Sequence, residues 1–164
     1  MIGMTLPDTK EAEFRDSLVG LEKGHFSRLD PLFASGETAG QPSKIVKWHA
    51  KGLFDDQPNA LTEALTCACF LGRIETAEYL LRQGVSPAGG ASTGSNAVHW
   101  AANRGQLDSL RLLLLWKAPL EPRSRYGGNV LDTAIWSSLN EPKPDHTAII
   151  EALLRAGAQL GDEE

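Results

Sequence analysis

The feature that most constrains the fold is a regular repeat in the middle of the chain, with a period of about 33 residues. The segment EALTCACFLGRIETAEYLLRQG (63–84) can be laid over NAVHWAANRGQLDSLRLLLLWK (96–117) so that its glycines, alanines and leucines coincide. The matched pairs are Gly72 with Gly105, Ala68 with Ala101, and Leu80 with Leu113. A fixed period of this length predicts copies of one structural unit stacked side by side.

A third copy follows, with an insertion. NVLDTAIW (129–136) continues the period. Leu131 follows Val98 by 33 residues, which is also the distance from Ala68 to Ala101. The next stretch, SSLNEPKPDH, interrupts the register before TAIIEALLRAG resumes it. Gly157 follows Gly84 by two periods and seven further positions. We therefore expect a longer connection between the two halves of the third copy.

Each copy reads as two short helices joined at a glycine. Apolar residues recur at i, i+3 and i+4 in both halves, which gives each helix one apolar stripe. In the middle copy these are Val98, Ala101 and Ala102, then Leu110, Leu113 and Leu114. Such helices cannot bury their stripes alone, so the copies must pack against one another.

The sequence also predicts where the helices begin and end. Asn96 and Asn129 precede the first helices, where an Asn side chain can cap free N–H groups. Gly84 and Gly157 follow the second helices, where a left-handed residue is common. Lys117 takes that place in the middle copy, at an expected cost of about 1 kcal/mol.

These features make the chain resemble the ankyrin repeat family, whose unit has this period and a T-P-L-H-x-A signature. The corresponding runs are EALTCA, NAVHWA and NVLDTA; the Thr and Pro are absent, and His appears only as His99. The second-helix runs match the family pattern better. The resemblance implies an all-α, ankyrin-type helical repeat solenoid of about four to five helix pairs with short hairpin-like turns, of the loosely conforming, bacterial type.

We predict the following division of the chain. Residues 1–9 form an N-terminal extension, and 10–58 one or more degenerate capping repeats. Three regular repeats cover about 59–91, 92–124 and 125–160, and an acidic tail covers 161–164.

The segment 10–58 allows two phasings. In the first, residues 14–36 form two helices around Gly24 and cap the stack. In the second, DPLFASG (30–36) is the first helix of a repeat that ends at Gly52. Both include a helix near residues 43–51, with Ile45, Val46 and Trp48 or His49 facing inward.

Composition excludes several classes of protein. A net charge of −5 argues against a dedicated nucleic-acid binder. No apolar run approaches the roughly 20 residues of a membrane span, and MIGMTLPDTK lacks the pattern of a secretory signal. Cys67 and Cys69 point about 200° apart on a helix, so we expect two buried, reduced thiols in a cytoplasmic protein.

The family resemblance also implies where a partner binds: on the hairpin tips and on the exposed edge of the first helices. The tips are residues 55–59, 89–94 and 123–128. The candidate residues are Phe70, Leu71, Asn103, Arg104, Trp136 and Ser137 on the helices, and Arg123, Arg125 and Tyr126 in the third tip. The alternative for Phe70 and Leu71 is a core or cap position covered by the preceding segment. Arg, Tyr and Trp are the residues that most often anchor interfaces. We expect Arg104 and Trp136 to join the third tip in a basic, aromatic surface.

A second expected contact lies on the outer side of the stack. Leu115 occupies a position where the sibling repeats carry Arg82 and Arg155, and Trp116 follows it. We expect an exposed apolar patch there, which would suit a second contact or a weak dimer.

The sequence does not predict catalysis, a cofactor or a metal. His99 and Asp132 lie at one position of successive repeats, so they are too far apart for a direct hydrogen bond. We expect His99 to hold its own turn. The remaining histidines have no ligand-like spacing.

We therefore expect a non-enzymatic protein-binding module that acts as a monomer or weak dimer. The alternative is an enzyme or small-ligand binder, with a pocket between the irregular N-terminal part and the first regular repeat, near Trp48, His49 and Phe70. A deep polar pocket would favour the alternative, and a shallow groove would favour protein binding.

Overall fold

The computed structural model describes residues 9–36, 40–90 and 94–161, whose regular secondary structure is helical, with turns and loops between the helices and no strand. Residues 1–8 of the predicted extension (1–9), the centre of the second tip (91–93) and most of the acidic tail (162–164) lie outside the described residues. The helices are α1 (Thr9–Lys23), a 3-10 helix (Phe26–Leu29), α2 (Asp30–Phe33), α3 (Lys44–Ala50), α4 (Pro58–Leu71), α5 (Ile74–Arg82), α6 (Ala97–Asn103), α7 (Leu107–Leu115), α8 (Val130–Asn140) and α9 (His146–Arg155).

The helices form two layers. The first helices of the repeats, α4, α6 and α8, contact one another in that order, and so do the second helices α5, α7 and α9. Each first helix also contacts its own second helix. At the N-terminal end, α1 packs on α4 and α3 packs on α5. The predicted all-α, ankyrin-type solenoid is confirmed.

The difference between the two layers follows from side-chain size. Ala68, Ala101 and Ala134 are fully buried in the three first helices. Their small side chains allow neighbouring helices to approach closely. Leucines such as Leu80 and Leu113 are fully buried in the second helices and fill the remaining space.

The helix ends follow the sequence closely. The side chain of Asn96 accepts a hydrogen bond from the His99 N–H (3.0 Å), and the corresponding bond in the third repeat runs from the Asp132 N–H to Asn129 (3.0 Å). Lys117 has a φ of 59° and is the only non-glycine residue with a positive φ in the described ranges. The predicted left-handed lysine is confirmed.

Side chains at the start of each second helix tie successive repeats together. Gln106 Nε2 donates to the carbonyl oxygen of Phe70 (3.1 Å), and His146 Nε2 donates to that of Ala102 (2.9 Å). Gln106 and His146 occupy the same repeat position once the insertion in the third copy is removed. Each bond adds a donor to a carbonyl at the end of the preceding first helix, where the regular helical bonds run out; the Ala102 carbonyl also accepts from the Gly105 N–H (3.4 Å).

The same position in the first regular repeat is Arg73, and it favours the second phasing of the N-terminal segment. Its guanidinium makes two hydrogen bonds to Asp30, of 2.7 and 2.6 Å. Asp30 thus supplies to Arg73, through its side chain, the kind of acceptor that the backbone carbonyl of Phe70 supplies to Gln106. The Thr76 hydroxyl likewise donates to the carbonyl oxygen of Phe33 (2.8 Å). The second phasing, in which residues 30–36 form the first helix of a repeat that ends at Gly52, stays a prediction.

The helix expected near residues 43–51 is present as α3. Ser43 caps it by accepting from the Val46 N–H (3.3 Å), and Gly52 follows it with a φ of 84°. Ile45 and Trp48 are buried, and Trp48 packs edge-on against Phe14 of α1, with ring centroids 5.5 Å apart. Val46 and His49 are half-buried.

No helix in the described ranges combines the length and the apolar character that a membrane span requires.

Candidate partner-binding surface

Three aromatic rings and one arginine form a cluster on the first-helix layer. Phe70 lies 5.4 Å from Phe26 and 5.2 Å from Trp100, measured between ring centroids, and both contacts are edge-to-face. Phe26 and Trp100 are 6.1 Å apart. The central carbon of the Arg104 guanidinium lies 5.1 Å from the centre of the Phe70 ring, in cation–π geometry. We call Phe26, Phe70, Trp100 and Arg104 the aromatic cluster.

The helical period explains why this cluster assembles. Trp100 and Arg104 are four positions apart at the end of α6, so their side chains lie on one face. Phe70 comes from the end of α4, which packs beside α6, and the 3-10 helix supplies Phe26. In the described ranges Arg104 makes no ion pair, so its N–H groups are open to a partner's carboxylate.

Phe70 and Leu71 are half-buried and not open helix positions. Phe26, from the N-terminal segment, and Trp100, from the next repeat, both contact the Phe70 ring and also lie edge-on against each other. The expectation of an exposed edge at Phe70 is therefore only partly correct, because two neighbouring elements take up most of its ring.

Asn103 is half-buried as well, and its side chain is engaged. Its Nδ2 donates to the Ser137 hydroxyl on the next first helix, at 2.9 Å. Ser137 itself is fully buried, so the expectation that it is exposed is wrong. The small hydroxyl lies between α6 and α8, where a bond to Asn103 replaces its bonds to water.

Trp136 is the most exposed of the predicted first-helix residues, with 54% of its surface accessible. It occupies the same repeat position as Phe70 and Asn103. Those two side chains contact the following repeat, whereas no described helix pair follows α8 and α9. The exposure of Trp136 therefore comes from its place in the last repeat.

The third tip, residues 123–128, combines a fixed backbone with projecting side chains. The Arg125 N–H donates to the Gly94 carbonyl of the preceding tip (2.8 Å), and the Ser124 N–H donates to Gly128 (2.9 Å). Arg123 bonds through Nη1 to the Gly127 carbonyl (2.8 Å). Arg125 is exposed, and so is Tyr126, with 81% of its surface accessible. Both lie in the turn and not on a helix.

Arg104 of the aromatic cluster does not contact Trp136 directly. Arg104 lies over Phe70 of the preceding repeat. Within residues 9–36, 40–90 and 94–161, no hydrogen bond, ring contact or cation–π contact joins Arg104 to Trp136. Whether Trp136 and the third tip meet one partner together stays a prediction.

The side chains expected to line an alternative pocket have different neighbours. Trp48 is buried against Phe14, and His49 Nδ1 lies 2.8 Å from the hydroxyl of Tyr79. Phe70 instead belongs to the aromatic cluster. Of two surface clefts, the larger, of about 360 Å³, includes Arg123 and Asn129. The smaller, of about 260 Å³, lies between the N-terminal part and the first regular repeat, as the alternative expects, but is lined by other residues, among them Glu22 and Gln57.

His99 has a structural role in its own repeat. His99 Nδ1 accepts from the Asn96 N–H (3.2 Å), and its Nε2 donates to the carbonyl oxygen of Pro122 (2.9 Å). Burial lowers the pKa of His99, and the bond to Pro122 opposes that effect in part. The expectation that His99 holds its own turn is confirmed.

One carboxyl group and both thiols also have shifted pKa values. The hydrogen bond from Arg73 lowers the pKa of Asp30. Burial raises the pKa of Cys69 to about 12 and raises that of Cys67 well above its usual value. Both cysteines are buried and free, as expected. Among the described residues, no group of three or more His, Cys, Asp or Glu side chains is placed to hold a metal ion.

Sequence reasoning missed two members of the aromatic cluster, Phe26 and Trp100. The spacing of Trp100 and Arg104 was a usable signal, since residues four apart on a helix are neighbours. No sequence signal pointed to Phe26, because its position depends on how the N-terminal segment packs.

A comparison with family models agrees with this architecture. The model described as "Ankyrin repeats (3 copies)" matches residues 33–123, more than half of the chain. The match begins inside the segment with two phasings and ends before α8. No curated protein matches the chain. Repeat period, two-layered helix stack and family match together show that the chain belongs to the ankyrin repeat family.

Proposed function

We propose that the protein is a non-enzymatic, cytoplasmic module that binds another protein through its repeat tips and through the groove along its first helices. Ankyrin repeats generally mediate protein–protein interactions. The candidate residues are Phe70, Leu71, Asn103, Arg104, Arg123, Arg125, Tyr126 and Trp136. Two buried, unpaired cysteines are consistent with a reducing compartment.

The observation that carries this proposal is the cation–π pair of Arg104 and Phe70. Phe26 and Trp100 both contact the Phe70 ring, so the guanidinium lies on a rigid apolar base. A side chain that is already ordered loses less conformational entropy when a partner binds. Arginine and aromatic residues with supported geometry are the usual centres of binding energy.

The chemistry of the surface indicates an acidic segment in the partner. Arg104 offers donors for a carboxylate, and Arg125 adds a second exposed positive charge on the third tip. Both are positive charges on a chain whose net charge is −5. Tyr126 supplies an exposed ring beside Arg125, which an apolar side chain of the partner can cover.

Affinity capture from the native cell lysate tests the proposal. We expect the unchanged chain to recover one partner, and Arg104→Glu and the double variant Arg125→Glu with Tyr126→Ala to recover at least about tenfold less. Arg111→Glu is the matched control, since it makes the same charge change on the exposed side of α7. Equal recovery by all four proteins would contradict the proposal, provided that circular dichroism shows them equally helical.

A further inference from the structure

A ring contact and an ion pair join the chain around the 3-10 helix to the chain around the end of α4. The ring contact is that of Phe26 with Phe70. The ion pair joins Asp30, which follows the 3-10 helix directly, to Arg73, which lies between α4 and α5. Asp30 comes four residues after Phe26, and Arg73 comes three residues after Phe70. The ion pair is therefore about one helical turn along the chain from each ring.

The Asp30–Arg73 ion pair has a defined orientation. Arg73 Nε donates to one carboxylate oxygen of Asp30 (2.7 Å), and Nη2 donates to the other (2.6 Å). A bidentate pair fixes the direction in which the two groups meet as well as their separation. The side chains are 40% and 38% exposed, so we expect the pair to add little to the overall stability of the fold. Its main effect is to align the two parts of the chain that carry it.

Later repeats fasten the same position to a backbone carbonyl. Gln106 bonds to the carbonyl oxygen of Phe70, and His146 bonds to that of Ala102. These carbonyls belong to α4 and α6, whose buried faces already fix them in the stack. The 3-10 helix and α2 have four residues each, too few for a helix to hold its own direction. Alignment of this segment therefore depends more on the bonds that its side chains make.

A series of contacts leads from the 3-10 helix to Arg104. Phe26 is 1% exposed, and its ring contacts those of Phe70 and Trp100. Trp100 also contacts Phe70, and the Arg104 guanidinium lies over the Phe70 ring. A shift of the 3-10 helix relative to α4 would therefore change the packing of the ring on which the guanidinium rests.

Other bonds keep the neighbouring elements in place when the ion pair is removed. The Thr76 hydroxyl on α5 donates to the carbonyl oxygen of Phe33, the last residue of α2, and lies 2.9 Å from the hydroxyl of Ser43. All three residues are buried. Loss of the ion pair should therefore realign the 3-10 helix without detaching α2 and α3 from α5.

We propose that Asp30 and Arg73 are positioning residues of the partner-binding surface. Their ion pair holds Phe26 in register with Phe70, and so holds Phe70 beneath Arg104. The effect on a partner rests on the proposed function, whereas the effect on Arg104 is a property of the free protein. Residues 26–30 are then part of the binding surface and not only a cap on the stack.

Nuclear magnetic resonance of the free, whole chain tests the positioning. Side-chain protons of an arginine above a phenyl ring resonate upfield, because the ring current shields them. Phe70→Leu, which removes the ring and keeps an apolar side chain, gives the Arg104 signals without that contact. We expect Arg73→Gln and Asp30→Ala each to move the Arg104 signals part of the way towards these values.

A double-mutant cycle and a control separate this effect from a general loss of charge. The double variant of Asp30→Ala with Arg73→Gln should shift the Arg104 signals no further than the larger single change, since all three variants lack the same ion pair. Arg82→Gln breaks the exposed Glu78–Arg82 pair on α5 and should leave the signals unchanged. Circular dichroism checks that each variant keeps its helices.

The protein that the unchanged chain recovers from the lysate is the probe for binding. We expect its affinity for Arg73→Gln and for Asp30→Ala to be about fivefold lower than for the unchanged chain. Its affinity for Arg82→Gln should be unchanged.

Two results would overturn the inference. Arg104 signals that stay in place in both single variants would show that the ion pair does not position the cation–π contact. Equal or tighter binding by Arg73→Gln, with binding still lost in Arg104→Glu, would show that the pair does not support the surface. Failure of the unchanged chain to recover any protein would instead contradict the proposed function, and the signals of the free protein would still decide whether Asp30 and Arg73 position Arg104.

Discussion

His146 Nε2 donates a hydrogen bond to the carbonyl oxygen of Ala102, 2.9 Å away, and so joins the start of α9 to the end of α6. His146 is buried, and its Nδ1 accepts from the Lys143 N–H (2.9 Å), which fixes the inserted loop on the stack. One side chain therefore connects two repeats and the insertion between them.

We expect His146→Ala to lower the free energy of unfolding by about 1–3 kcal/mol, because it removes the bond to the Ala102 carbonyl, which keeps only a longer bond from the Gly105 N–H (3.4 Å), and takes the acceptor from the Lys143 N–H. His146→Gln should lower the free energy of unfolding less, since Gln106 makes the equivalent bond with an amide nitrogen. Urea denaturation followed by circular dichroism measures both values. Equal losses in the two variants would show that the bond to Ala102 contributes little.

A larger side chain at Ala101 should also destabilise the stack. Ala101 is fully buried on α6, so Ala101→Leu should cost about 1–3 kcal/mol through overpacking between first helices. Ala50→Leu, at the exposed end of α3, is the matched control and should have little effect. An unchanged melting temperature for Ala101→Leu would contradict the packing described for this layer.

Stability should depend on pH through His99. Burial holds its pKa below the ordinary value of 6.5, so the unfolded chain takes up the proton first as the pH falls. The contribution of His99 to the free energy of unfolding is therefore fully present above about pH 6.5. Below that pH it decreases, by at most about 1.4 kcal/mol per pH unit.

Chemical denaturation between about pH 5 and 8 should show this decrease. His99→Gln should remove that part of the pH dependence, and His25→Gln, at an exposed histidine, should preserve it. A pH profile that is identical for His99→Gln and the unchanged chain would contradict the assignment to His99.

The left-handed residue after α7 offers a stabilising change. Lys117 has a φ of 59°, a conformation that costs a side-chain-bearing residue about 1 kcal/mol or more relative to glycine. Lys117→Gly should therefore raise the free energy of unfolding by up to about 1 kcal/mol, since the extra freedom of glycine in the unfolded chain offsets part of the gain. Gly157→Ala, at the same repeat position, should lower it. Thermal melting of the two variants measures both shifts, and a lower melting temperature for Lys117→Gly would contradict the expected strain.

The two cysteines should react slowly in the folded protein. Both are buried, and the raised pKa of each thiol leaves very little thiolate. We expect alkylation by iodoacetamide to require unfolding, whereas a cysteine introduced by Ala88→Cys at an exposed site should react at once. Mass spectrometry distinguishes the sites, and rapid labelling of Cys67 or Cys69 in the native protein would contradict their burial.

The sequence by itself determined the repeating architecture. The regular period, the alanine and leucine stripes and the caps at Asn96 and Asn129 can be read locally, because within each copy they depend on residues one or two helical turns apart. Even the strained Lys117 could be predicted, since its siblings are glycines at the same position. The phasing of residues 10–58 stayed open because the short helices there have no regular stripe to align.

Only the tertiary structure decided which side chains of the stack are free to meet a partner. Ser137 is buried because it packs against the preceding repeat, where Asn103 bonds to it, and Phe70 is half-covered because Phe26 reaches it from the distant N-terminal segment. Trp136 occupies the same repeat position as Phe70 but is exposed, since no described helix pair follows it. The period specifies where a side chain stands in its own repeat, and packing against the neighbouring repeat determines whether solvent reaches it.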